Sequence, residues 1–137
     1  MIPLHTLSAR RLRRPLAVVA VVAVSIAAAA QSTSNAAGLR GDPAHGKTLY
    51  QACAACHSID ENDVGPKHRG VVGRRAGSVA DYTYSAALKR SDLSWDEATL
   101  DRWLTNPSAL VPGTKMFFKL DDPQARADVI AYLKEQK

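Results

Sequence analysis

From Ser58 to Ala80 the chain shows no sustained apolar period; it is rich in charge and punctuated by Gly65-Pro66, Gly70, Gly73 and Gly77. A second irregular stretch, Ser108 to Leu120, contains the run Pro112-Gly113-Thr114-Lys115-Met116. Ordering loops of this length costs conformational entropy that only burial can offset. Yet aromatic residues make up just 6% of the 137, and about a hundred ordered residues form a modest core even when well packed. A chain built this way needs something large and apolar at its centre.

The segments between the loops read as helices. Asp42-Pro43 is a start signal, because the carboxylate caps free amides and proline suits the first helical position. A first helix is predicted over Pro43 to Cys53, presenting Leu49, Tyr50 and Cys53. Gly46 inside it costs about 1 kcal/mol relative to alanine, which points to close approach of another backbone. Ser85 to Lys89 is a short helix candidate. Ser94-Trp95-Asp96-Glu97 has capping-box spacing, and Leu100, Trp103 and Leu104 follow at helical intervals. Asn106-Pro107 ends that helix. Asp122-Pro123 repeats the start signal, and Val129, Ile130, Tyr132 and Leu133 supply a terminal apolar stripe. No strand alternation is present, so the expected class is all-α, with three to five helices.

The beginning reads as a processing signal. Arg10, Arg11, Arg13 and Arg14 precede an uncharged run, Leu16 to Ala30, broken only by Ser25. That run is shorter than the roughly 20 residues a membrane-spanning helix needs. Ala28-Ala29-Ala30 suits a signal peptidase, which predicts cleavage after Ala30, with a later cut near Ala36 as the alternative. The surrounding residues fit a general secretory signal better than a twin-arginine one. The expected organisation is a cleavable signal peptide over 1–30, a flexible terminus over 31–40 and one domain over 41–137, exported to the periplasm. Four of the eighteen basic residues lie in the leader, so the remainder carries fourteen against thirteen acidic, a net charge of +1 instead of +5. Nucleic-acid binding, which needs a concentrated basic surface, loses its support.

Export makes the two cysteines informative. A disulfide is the ordinary expectation in an oxidising compartment, but closing a loop of two intervening residues constrains little of the unfolded chain. Cys53-Ala54-Ala55-Cys56-His57 instead has the c-type haem attachment pattern. Two thiols about one turn apart can add to the two vinyl groups of a porphyrin, and the adjoining His57 can ligate the iron. Its other ring nitrogen should then donate to a backbone carbonyl. A thioredoxin-like dithiol wants a βαβ context that is absent. A zinc site drawing on His45 or His68 lacks the usual second pair of spaced ligands. The cofactor expected is one covalent haem c.

Met1 leaves with the leader, so if the iron takes a thioether ligand, Met116 is the sole candidate. A lone methionine is more often core filler; the haem motif reverses that reading. His/Met ligation raises the reduction potential and leaves no open position for oxygen or peroxide.

At this point a larger pattern emerges. Gly46, Tyr50, Cys53 to His57, Gly65-Pro66, Gly70, Gly73-Arg74, Tyr82-Thr83-Tyr84, Trp95, Leu104, Asn106-Pro107, Pro112 to Met116, Phe118 and Ala131-Tyr132-Leu133 stand in order and at nearly constant spacing. Together they resemble the class I, mitochondrial-type soluble cytochromes c and their bacterial relatives, over Gly41 to about Lys134. The resemblance implies the cytochrome c fold, with the first and last helices crossing at Gly46 and Tyr132. It implies that Pro66 offers its carbonyl to His57. Arg74, Tyr84 and Trp95 would hydrogen-bond or shield the inner haem propionate, Thr114 would reach the other, and Phe118 would pack beside the exposed haem edge.

The departures are specific. Lys67-His68-Arg69 replaces the family's usual Asn-Leu-His, which sets His68 against the haem as added polarity or as a rival ligand. Trp103 stands where a tyrosine commonly neighbours the methionine ligand, which removes a hydroxyl that could bond the sulfur. Leu88 occupies a position that usually bears an amide. Ala52, Ser108 and Ala109 stand where lysines often ring the haem edge, leaving Lys115, Lys119, Lys47 and Arg69. The resemblance implies a monomeric monohaem electron carrier between exported or membrane-bound redox proteins. A peroxidase-like enzyme is the alternative if Met116 dissociates, and a membrane-tethered subunit if the leader is retained.

Overall fold

The computed structural model describes residues 38–137; the predicted leader and most of the predicted flexible terminus lie outside the described residues. Five helices follow in order: α1 (Pro43–Leu49), α2 (Ala86–Arg90), α3 (Glu97–Thr105), α4 (Pro107–Leu110) and α5 (Pro123–Glu135). Among the described residues the only extended pairing is an isolated antiparallel bridge between Arg75 and Ser94. No helix there is long and apolar enough to cross a membrane.

The aspartate–proline starts work as their chemistry dictates. Asp42 accepts from the amides of Ala44 and His45 at 2.9 and 3.3 Å, and Asp122 accepts from Gln124 at 2.9 Å. Each is followed by a proline in the first helical turn, where no amide is needed. Three expectations need correction. The first helix tightens to a 3-10 turn over Tyr50–Ala52 instead of staying α-helical to Cys53. The cap of α3 is Asp96, which accepts from Thr99 at 2.7 Å, and not Ser94. Ser94 is drawn off into the bridge with Arg75, while the Trp95 amide donates to the Arg74 carbonyl. Finally, Asn106-Pro107 ends α3 and at once starts α4, because the Asn106 side chain caps Ala109, so the stretch after Pro107 is not wholly irregular.

Helix α5 crosses α1 at Gly46. A Cβ there would run into the backbone carbonyl of Asp128 and sit 3.0 Å from the Tyr132 Cβ, so only glycine permits the crossing. The Tyr50 and Tyr132 rings meet beside it at 5.2 Å. Asp128, with its side chain 2% exposed, ties the crossing by accepting from the Asp42 amide and Gln124 Nε2 and by bonding His45 Nδ1. The other face of α5 buries Val129, Ile130 and Leu133 in one core with Leu100, Trp103 and Leu104 of α3. The long loops wrap this helical frame and leave a cleft between them.

Candidate functional site

The cleft has a volume of about 360 Å³ and mainly apolar walls. All eleven positions singled out from the sequence line it: Cys53, Cys56, His57, Pro66, Arg74, Tyr84, Trp95, Trp103, Thr114, Met116 and Phe118. Val71, Leu88, Leu100, Leu104, Val129 and Leu133 complete the apolar lining. Most of these last were read from the sequence only as core or were not singled out; the helical stripes of α3 and α5 were the available signal.

One wall is a single tight backbone turn. Cys56 and His57 amides both donate to the Cys53 carbonyl at 3.0 Å, which holds the two thiols about one turn apart. The two cysteines are not bonded to each other; Cys53 is half-buried and Cys56 exposed at the mouth. Burial pushes the Cys53 thiol above its ordinary value. His57 Nδ1 lies 2.8 Å from the Pro66 carbonyl. A carbonyl only accepts, so Nδ1 carries the proton and Nε2 keeps its lone pair. Burial lowers the His57 pKa, partly opposed by the Pro66 carbonyl and by Asp63, which favours the neutral ring that ligation requires. Gly65 closes this wall: a Cβ at that position would collide with the His57 ring.

His68 stacks flat on His57, with ring centroids 4.0 Å apart and planes 19° from parallel, and its Nδ1 pairs with the Tyr50 hydroxyl at 3.0 Å. Burial, with His57 and Arg74 nearby, pushes its pKa down to about 3. It is a half-buried polar support that packs on His57 and is tied to Tyr50.

The other wall comes from α3 and the loop after α4. Trp103 Nε1 donates to the Met116 sulfur at 3.2 Å. The expected loss of a donor at this position is thus corrected: the indole N–H supplies what a tyrosine hydroxyl would have supplied. Thr114 is buried, and its hydroxyl oxygen accepts from the Met116 amide at 3.3 Å. Trp95 packs on Trp103 with ring centroids 5.1 Å apart. Arg74 spends two donors on loop carbonyls, Nη1 to Arg69 at 2.9 Å and Nη2 to Lys67 at 2.8 Å. The Tyr84 hydroxyl accepts from the Val79 amide at 3.4 Å. At the mouth, Phe118 and Phe117 are exposed beside Lys115 and Lys119. Val64, Val71 and Phe117 are cleft residues that sequence reasoning missed outright.

Two thiols one turn apart, an imidazole with a free Nε2, a thioether and apolar walls form a donor set that fits haem c. The family model described as cytochrome c matches residues 43–137. The chain is 46% identical over 119 residues to cytochrome c2 of Rhodomicrobium vannielii, covering 84% of this chain and 95% of that one. It is 43% identical over 100 residues to cytochrome c of Nigella damascena, covering 69% and 90%. Among solved structures, cytochrome cH from Methylobacterium extorquens is similar with a TM-score of 0.67 and 51% identity, over 69% of this chain and 98% of that one.

The chain belongs to the cytochrome c family. Its architecture is the all-α cytochrome c fold, its cofactor is covalently attached haem c, and it is a monohaem c-type electron-transfer protein rather than an enzyme. The departures read from the sequence acquire physical meaning on this cytochrome. Leu88 makes its part of the cleft wall apolar where an amide would have been polar, and its side chain is buried. Tyr82, matched to the family without an assigned role, ties its loop to the mouth by donating its hydroxyl to the Val64 carbonyl.

Proposed function

We propose that this cytochrome is a monomeric periplasmic carrier that moves one electron at a time between exported or membrane-bound redox proteins. In this reading Cys53 and Cys56 would hold the haem, and His57 Nε2 and Met116 Sδ would ligate its iron. The observation that carries it is convergence on one cleft of the chain's two cysteines, an imidazole with a fixed tautomer and the one methionine outside the leader. When bound, the haem supplies an iron that cycles between ferric and ferrous states. The protein's part is to keep everything else still. The Pro66 carbonyl orients His57, Trp103 holds the Met116 sulfur by a hydrogen bond, and the leucine and valine walls exclude water. Arg74, Tyr84 and Trp95 would face one propionate and Thr114 the other, because buried carboxylates are costly without donors.

Optical spectra of the purified protein in both oxidation states test this directly. A methionine-sulfur charge-transfer band in the ferric protein is expected; a high-spin ferric spectrum would remove Met116 from the iron. The exposed mouth at Cys56 and Phe118 is the proposed exit for the electron, with weak and fast partner docking. Lys115, Lys119, Lys47 and Arg69 supply the steering, so transfer rates should fall as salt screens them; rates indifferent to ionic strength contradict that docking. We also take residues 1–30 as a cleaved signal, 31–40 as a flexible terminus and 41–137 as the haem-binding domain. N-terminal sequencing of the exported protein should begin at Gln31. A retained leader would make the protein a tethered subunit.

A further inference from the structure

We propose that the buried ion pair between Asp101 and Arg126 is a positioning device for Met116, gripping the end of the loop that carries the thioether. The inference rests on the reading that Met116 ligates the iron. Arg126 Nε bonds Asp101 Oδ1 at 2.6 Å, with the two side chains 4% and 5% exposed. From there Arg126 Nη1 donates to two successive backbone carbonyls, Leu120 at 2.9 Å and Asp121 at 2.8 Å. Those carbonyls lie at the exit of the Met116 segment. The Leu120 amide in turn donates to the Leu104 carbonyl at 2.8 Å. Helix α3 thus grips the loop three times: Asp101 through Arg126, Trp103 on the sulfur itself, and the Leu104 carbonyl on the backbone beyond it.

The charge chemistry explains why the grip needs both partners. A guanidinium is always protonated and presents a planar fork, so it can hold two carbonyls and a carboxylate at once. Buried at this depth it needs a counter-charge, and Asp101 supplies one. Without that charge beside it, keeping the guanidinium buried costs more, and its grip on the Leu120 and Asp121 carbonyls loosens. The loop then keeps the indole hydrogen bond, the Thr114 contact and the Leu120 amide on the Leu104 carbonyl. Arg126 differs in this from Asp128, two residues further along α5, whose partners are all at the α1 crossing or on α5 itself.

The test is sulfur release in the ferric holoprotein, read as the limiting rate at which excess imidazole replaces Met116. Two variants probe the grip. Asp101→Asn keeps the shape and removes the charge. The double change Asp101→Leu with Arg126→Met removes the whole pair, a replacement that buried ion pairs commonly tolerate without loss of stability. Asp128→Asn is the control, weakening α5 away from the loop. The expected result is a limiting rate about tenfold or more faster in both grip variants, the size set by loss of a buried hydrogen-bonding partner, and unchanged in the control. If Asp101→Asn fails to load haem, the double variant decides alone. Grip variants that melt earlier yet release sulfur at the wild-type rate, or a control that speeds release equally, overturn the proposal. A wild-type protein without the methionine-sulfur band would instead overturn the ligand assignment, and this inference with it.

Discussion

The two walls of the cleft are held by different means. The His57 wall is made by backbone: a turn closing on the Cys53 carbonyl, a Pro66 carbonyl on Nδ1 and a glycine where any side chain would strike the ring. The Met116 wall is made by side chains reaching across the fold, from Trp103 to the sulfur and from Arg126 to the loop's exit. Backbone constraints over a few residues are stiff and local. Side-chain tethers between distant segments each contribute about 1 kcal/mol net and can be released one at a time. The comparison therefore predicts a rigid side and a releasable side, with ligand exchange confined to the second.

The largest expected contrast comes from removing each ligand. His57→Ala should prevent assembly of a normal holoprotein, read as loss of nearly all covalently bound pigment on a denaturing gel. Met116→Ala should keep the pigment, turn the ferric spectrum high-spin and lower the reduction potential, because thioether ligation raises it. Equal losses of pigment from both variants would erase the asymmetry. Next in size is Gly65→Ala, which forces a methyl into the His57 ring. Overpacking of this kind costs about 1–3 kcal/mol, measurable in thermal melts, and should leave sulfur release alone. Trp103→Phe should cost less, about 1 kcal/mol for one hydrogen bond, and should act in the opposite way: a small loss of stability with a weaker charge-transfer band and faster imidazole exchange. A Trp103→Phe band and exchange rate identical to wild type would show that the indole N–H does nothing for the sulfur.

The same asymmetry governs what could be read from the chain. The His57 wall was legible because its parts are contiguous: Cys53 to His57 is one run, and Gly65-Pro66 follows within the same loop. The ends of α1 and α5 were legible because aspartate followed by proline has one local meaning. The Met116 wall was legible only in outline. That Trp103 would point its N–H at Met116, thirteen residues away, depends on how α3 packs, and a motif comparison suggested the loss of a donor where one is present. The Asp101–Arg126 pair, twenty-five residues apart, carried no signal, since each residue reads alone as a solvated charge. The Ser94 capping box failed for a related reason: its spacing was right, but a tertiary bridge to Arg75 competed for the residue.

The smallest expected effect concerns α5, which serves both walls from adjacent turns. Arg126 steadies the Met116 loop, whereas Asp128 ties α5 to α1, the helix that leads through the 3-10 turn into Cys53. Burial alone would raise the Asp128 carboxyl, but the Asp42 amide, His45 and Gln124 outweigh it and hold the group below its ordinary value near 3.8. A carboxyl depressed on folding contributes stability that is present above its unfolded pKa and lost as pH falls through the folded one. Wild type should therefore unfold at higher urea than Asp128→Asn at pH 7, and the gap should shrink once the pH drops below about 4. Sulfur release at neutral pH should not follow that gap, because the Asp128 partners lie on the other side of α5 from the Leu120 and Asp121 carbonyls in the hydrogen-bond network. A gap that stays constant down to pH 3 would remove the buried carboxylate from the acid response. A release rate that tracks the urea midpoint would mean that α5 moves as one body, and the two walls would then be one wall.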